Sequence, residues 1–166
     1  MKALVCSLLA LTLVLALTGC GPGETATPPA AEKSPAELQR EKFFGAAVAA
    51  DPAVEWRASG LGVKILAPGE GTPPRVSDRI RLHYTGSLLD GTVFDDTRAT
   101  GKPAEFAVNR MVPGLVAGIT SLKPGGRAVF YIPPSLGYGG MKVGKIPPVS
   151  GLIFDVELIA ILPAQP

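Results

Sequence analysis

The sequence predicts an α+β domain: a curled antiparallel β-sheet of about five strands wrapped around one short α-helix, with a second short helix at the N-terminal side. Three observations predict it. Segments of period-two alternation recur through the second half of the chain, separated by turn-rich stretches. A single stretch, Gly114 to Leu122, breaks to helical spacing. Gly (20) and Pro (17) are both abundant in 166 residues, which disfavours an all-helical chain and suits strands joined by turns.

The first residues have the form of an export signal. Lys2 supplies a minimal positive start, and Ala3 to Leu17 is an apolar run with the length of a signal h-region, short for a membrane span. Such first residues are expected to be removed on export. Cys6 leaves with them, so Cys20 becomes the only cysteine and the fold stands on its core without a disulfide. Gly21 to Ser34 holds no large apolar residue and cannot bury surface, so residues 20–34 are expected to form a tether. The formal net charge of +2, with no basic run, argues against a nucleic-acid partner.

Ser34-Pro35-Ala36-Glu37 is a helix start: Ser34 can cap, Pro35 suits the first helical position and Glu37 completes a capping box. Leu38, Phe43 and Val48 carry the helix to about Ala50, ahead of Asp51-Pro52. Residues 35–57 are therefore expected to be a helical extension packed on the main domain, too short for a dimerisation stalk, and the protein a monomer. The main domain is expected over residues 58–162, with a tail at 163–166.

From Ala58 the pattern is β. Leu61, Val63 and Ile65 alternate, and Pro68 to Pro74 is a loop. Ile80, Leu82 and Tyr84 share one face of the next strand, with Arg79, Arg81 and His83 on the other. Asp90-Gly91 is a turn signal ahead of Thr92-Val93-Phe94. In the helical stretch, Leu115, Ile119 and Leu122 form the stripe, widened by Val116, and Lys123-Pro124-Gly125-Gly126 stops it. Arg127 to Ile132 is a strand. Leu152 to Ile159 is the last, with Leu152, Phe154, Val156 and Leu158 facing in and Asp155 and Glu157 out.

Several separated segments carry aromatic rings or carboxylates in a definite order: Leu82-His83-Tyr84-Thr85-Gly86, Asp90-Gly91-Thr92-Val93-Phe94-Asp95, Val112-Pro113-Gly114-Leu115, Tyr131-Ile132-Pro133-Pro134, Leu136-Gly137-Tyr138-Gly139, Ile146-Pro147-Pro148 and Leu152 to Leu158. Over about Ser59 to Leu162 this succession resembles the FKBP-type peptidyl-prolyl cis-trans isomerases. The resemblance implies a proline-binding pocket with Tyr84, Asp95 and Tyr138 as catalytic residues and Phe94, Phe106, Met111, Val112, Leu115, Ile146 and Phe154 as substrate contacts. It implies proline-containing polypeptides as partners, macrolides such as rapamycin or tacrolimus as ligands, and no cofactor or metal. Likewise Leu17-Thr18-Gly19-Cys20 resembles the bacterial lipobox, which implies removal of residues 1–19 by cleavage before Cys20, lipid on Cys20 and a membrane anchor. Gly21 lacks the aspartate that the analogy links to inner-membrane retention, so the periplasmic side of the outer membrane is the expected location.

The chemistry asks for such residues. Rotation about an X-Pro amide is opposed by resonance, a barrier of about 18–20 kcal/mol. The resonance form is charge-separated, so an apolar pocket weakens the double-bond character while a few polar groups fix orientation. Asp96 is expected to be a turn acid or ion-pair partner, and His83, the sole histidine, a surface residue.

The chain departs from the family pattern at Leu115, where a tryptophan often forms the pocket floor, at Ala104, where an aromatic often stands, in a shorter segment before Val112, and in the loop Met141 to Lys145. Trp56 lies ahead of the expected domain. Three functions remain open on these residues: an isomerase for exported proteins, a binding module with little turnover, and a chaperone that holds unfolded chains.

Overall fold

The computed structural model of the chain describes residues 33–163. The expected signal peptide, Cys20, most of the expected tether and residues 164–166 lie outside the described residues.

Helix α1 (Pro35–Phe44) starts with the capping box: Glu37 N–H donates to Ser34 Oγ at 3.3 Å, and Ser34 N–H donates to the Glu37 carboxylate at 2.7 Å. The helix does not run through to Ala50. Gly45, at φ 80°, ends it, and one further turn, α2 (Ala46–Ala49), follows. Next to the break Phe44 is buried, 5.7 Å from the Trp56 ring and 5.6 Å from Tyr131. No helix among the described residues is long and apolar enough to cross a membrane.

The sheet has seven strands rather than about five: β1 (Glu55–Trp56), β2 (Gly62–Ala67), β3 (Arg79–Ser87), β4 (Val93–Asp96), β5 (Ala104–Ala107), β6 (Arg127–Ile132) and β7 (Leu152–Leu162). Their order is β1-β2-β6-β7-β3-β4, with β5 also paired to β3, and every pairing is antiparallel. The two unexpected strands are too short, and in β5 too rich in alanine, to display a period. Trp56, expected ahead of the domain, is part of the sheet: it pairs with Gly62 at the β1–β2 edge.

The alternation decides which face is core. Ile80 and Leu82 of β3, Ala128, Phe130 and Ile132 of β6, and Leu152, Phe154, Val156 and Leu158 of β7 are all buried in one cluster. Against it lies α3 (Pro113–Ile119), three residues shorter at its end than the stripe to Leu122 suggests. The hydroxyls of Thr120 and Ser121 donate back to Val116 O and Gly118 O at 2.9 and 2.7 Å, where the helix ends, while Leu122 still reaches the core from the following turn. The helix sits close to β6 because Gly114 and Gly118 share its sheet-facing side. A Cβ on them would lie 2.4 Å from Ile132 Cγ2 and 2.7 Å from Phe130 Cδ1. Glycine is a poor helix former, so packing rather than propensity holds α3.

The opposite face of the sheet carries charge. Arg127 grips Asp155 with both ends of its fork, Nε at 2.9 Å and Nη2 at 2.6 Å, and Arg98 Nη2 adds a contact at 3.3 Å. Burial pushes the Asp155 carboxyl upward, but the Arg127 hydrogen bond and the nearby Arg98 charge outweigh it and leave the group below its ordinary value.

Candidate active site

Between α3, the concave face of the sheet and the β6–β7 loop lies a cavity of about 460 Å³. Every pocket residue implied by the sequence lines it: Tyr84, Phe94, Asp95, Phe106, Met111, Val112, Leu115, Tyr138, Ile146 and Phe154. β3 brings Tyr84, β4 brings Phe94 and Asp95, β5 brings Phe106, and β7 brings Phe154. Met111 and Val112 lead into α3, which carries Leu115. Tyr138 and Ile146 come from the loop after β6.

The rings meet edge to face or tilted. Phe94 and Phe154 are 5.5 Å apart at 76°, Tyr84 and Phe106 6.0 Å at 60°, and Tyr84 and Phe154 6.0 Å at 42°. Gly86 makes the first pair possible. A Cβ there would lie 2.5 Å from Phe94 Cε2 and 3.1 Å from Phe154 Cε1, so any side chain would push Phe94 off the strand.

The one carboxylate of the lining is tied to one of its two phenols. The Tyr84 hydroxyl donates to Asp95 Oδ2. Burial first, and the Asp95 hydrogen bond second, hold the Tyr84 phenol well above its ordinary value, so it remains a proton donor at any physiological pH. Asp96, beside it, faces away from the cavity: its Oδ1 accepts from Thr85 Oγ1 at 3.0 Å and from Arg98 N–H at 2.8 Å, closing the turn after β4. The Val112 N–H opens α3, among the amides that helix geometry leaves without an intrahelical acceptor.

Sequence reasoning missed two kinds of residue. The first is Thr97, buried behind Tyr84. Its Oγ1 donates to Tyr84 O at 3.2 Å and accepts from Tyr84 N–H at 2.9 Å, clamping the backbone that carries the ring. His83 is not simply a surface residue. It is half-buried, and its Nδ1 lies 3.1 Å from the same Thr97 hydroxyl, outside the cavity lining. The second kind is Arg110 on the cavity's charged rim, where it joins Lys145 of the divergent loop Met141 to Lys145. Neither belongs to a periodic pattern or an aromatic motif.

The family model for FKBP-type peptidyl-prolyl cis-trans isomerase matches residues 70–159, more than half of the chain. The chain belongs to this family. Among FKBP-type relatives, the 22 kDa peptidyl-prolyl cis-trans isomerase of Escherichia coli (strain K12) is 48% identical over 105 residues, covering 63% of this chain and 51% of its own. The crystal structure of FkpA from Escherichia coli superposes with a TM-score of 0.70 at 36% identity, over 78% of this chain and 59% of that one. That of a peptidyl-prolyl cis-trans isomerase from Pseudomonas syringae pv. tomato superposes with a TM-score of 0.66 at 31% identity, over 76% of this chain and 93% of that one. The chain spans about half the length of the curated FKBP-type relatives it matches.

Proposed function

We propose that the chain is a peptidyl-prolyl cis-trans isomerase acting on exported polypeptides. The observation that carries this reading is the cavity itself: five aromatic rings and Leu115, Met111 and Ile146 surround a space that can admit a proline ring, with the Tyr84–Asp95 couple among its lining. In this reading Phe94, Phe106, Leu115 and Phe154 grip the ring and exclude water from the amide. The Val112 N–H and the Tyr138 hydroxyl hold substrate carbonyl oxygens. Asp95, ordered by Tyr84, faces the twisting amide. Nothing covalent forms; catalysis is tighter binding of the twisted amide than of either planar one. Uncatalysed isomerisation takes about 10–100 s, slow enough to limit folding.

The test is a protease-coupled isomerisation assay on the full chain in detergent, with X-Pro peptides and rapamycin or tacrolimus as inhibitor. Acceleration abolished by the macrolide, and lowered about tenfold or more in Tyr138→Phe and Asp95→Leu with unchanged unfolding midpoints, is the expected result. Full activity in both variants would remove the site assignment. A second reading, a binding module with slow turnover, rests on Leu115, which puts a small aliphatic side chain on the wall of a large cavity. A macrolide that binds without any peptide being accelerated would favour it.

The same proposal places the domain on a lipid anchor at Cys20, on the periplasmic side of the outer membrane, as a monomer. Its support is the run Ala3 to Leu17 ending in Leu17-Thr18-Gly19-Cys20. More than one acyl chain would make such an anchoring stable. Incorporation of labelled palmitate that Cys20→Ser abolishes is the expected result.

A further inference from the structure

The charge at the mouth of the cavity is unbalanced. Among its lining residues the one carboxylate is Asp95, already engaged by the Tyr84 hydroxyl, whereas two are cations, Arg110 and Lys145. Both are exposed, as is Lys142 three residues before Lys145. The ion pairs of the described residues use Lys33, Lys64, Arg79, Arg81, Arg98 and Arg127, and none involves Arg110, Lys142 or Lys145.

These cations are positioned. Arg110 closes the short 3-10 turn Val108–Arg110 directly before Met111 and Val112. Lys145 sits at the tip of a two-residue turn in which Val143 N–H donates to Ile146 O at 3.1 Å and Ile146 N–H to Val143 O at 2.8 Å. Ile146 is buried and anchors that turn in the core cluster. The loop is pinned again at its far end, where Val149, a β-branched residue at φ 57°, donates its N–H to Gly139 O at 2.8 Å. Such a conformation persists only where the surroundings hold it.

We propose that Arg110 and Lys145 make the cavity select proline segments that carry an acidic residue next to the proline. The inference rests on the cavity being the proline site. An extended chain advances about 3.3 Å per residue, so a carboxylate one or two positions from a proline in the cavity falls at its rim. There it meets two unpaired cations, while a basic residue in the same place is repelled. Exposed pairs of this kind are worth little singly, so the preference is a sum over the cluster and is screened by salt.

The test is fluorescence anisotropy of labelled proline peptides on the full chain in detergent. The peptides are identical except for Glu, Ala or Lys on either side of the proline. The Glu peptide is expected to bind about tenfold more tightly than the Lys peptide at low ionic strength, with a ratio that falls toward one by about 0.5 M salt. In Arg110→Gln/Lys145→Gln the ratio is expected to collapse at all salt concentrations. Equal binding of Glu and Lys peptides by the unaltered chain overturns the inference. So does a ratio that survives in the double variant. Turnover, measured separately on the Ala peptide, distinguishes failures: acceleration without charge preference leaves the isomerase reading standing and removes this one. Preference without acceleration supports this inference and removes the enzyme. If no peptide binds, this inference is overturned, and the isomerase reading falls with it only where the Ala peptide is not accelerated either.

Discussion

Two aromatic clusters lie on opposite faces of the sheet, and they end differently. On one face Phe44, Trp56 and Tyr131 meet at 5.6 to 6.1 Å, with Phe44 2% and Tyr131 8% exposed and Trp56 half-buried at the sheet edge. On the other, Tyr84, Phe94, Phe106 and Phe154 meet at similar distances around a cavity, and all but Phe154 are only half-buried. Ring content and ring geometry are therefore nearly the same. What separates a core from a site is whether a neighbouring element fills the space, and whether a hydroxyl–carboxylate couple such as Tyr84–Asp95 stands at its edge.

The contrast can be broken most directly through Phe44→Ala. Removing a fully buried phenylalanine costs about 3–5 kcal/mol, and urea unfolding followed by the fluorescence of Trp56, 5.7 Å from that ring, should report it. Catalytic turnover per folded molecule should be unchanged. A turnover that falls with stability would show that the two faces are one unit. Leu115→Trp sharpens the comparison from the other side by filling the cavity wall. Aromatic burial contributes on the order of 1.5–3 kcal/mol when complete. A partial gain should tighten macrolide binding about tenfold, measured by calorimetry, and weaker binding would mean that the larger ring blocks the proline position.

The smallest effect concerns the charged face. Asp155 has a depressed folded pKa, so its contribution to stability is present above the ordinary carboxylate range, near pH 4, and is lost as pH falls through the folded value. Asp155→Asn should cost about 1 kcal/mol at pH 7, after allowance for solvent screening. The gap to the unaltered chain, read as the difference in thermal midpoint, should close at low pH. A gap that widened below pH 4 would reverse the sign of the coupling.

Much of this was legible because the informative residues obey a strong rule. β3 alternates from Ile80 to Leu82 and β7 from Leu152 to Leu158, since one face of each is buried, and those two strands bring Tyr84 and Phe154 to the cavity. β5 was not legible. Ala104 to Ala107 has weak strand preference and acquires its conformation from pairing with Arg79 to Leu82. The helix break at Gly45 was hidden by apolar residues on both sides, which continue a stripe that the backbone does not follow. Thr97 and the Arg110–Lys145 rim leave no periodic trace because they act through a backbone clamp and through net charge. Both depend on what the folded chain places beside them rather than on spacing.

The strand order has a consequence for how such a chain comes into being. β7 lies between β6 and β3, yet it is the latest strand in the described chain. Until Leu152–Leu162 is in place, β1-β2-β6 and β3-β4 with β5 are two separate half-sheets with no shared seam. α3 packs on β6 in one half, but the buried residues of β7 are missing from both. The closing step joins residues as distant in sequence as Arg79 and Leu162, and contacts of that separation are slow to form. The sheet must therefore stay open until its last strand is available, and that one strand then welds the two halves together.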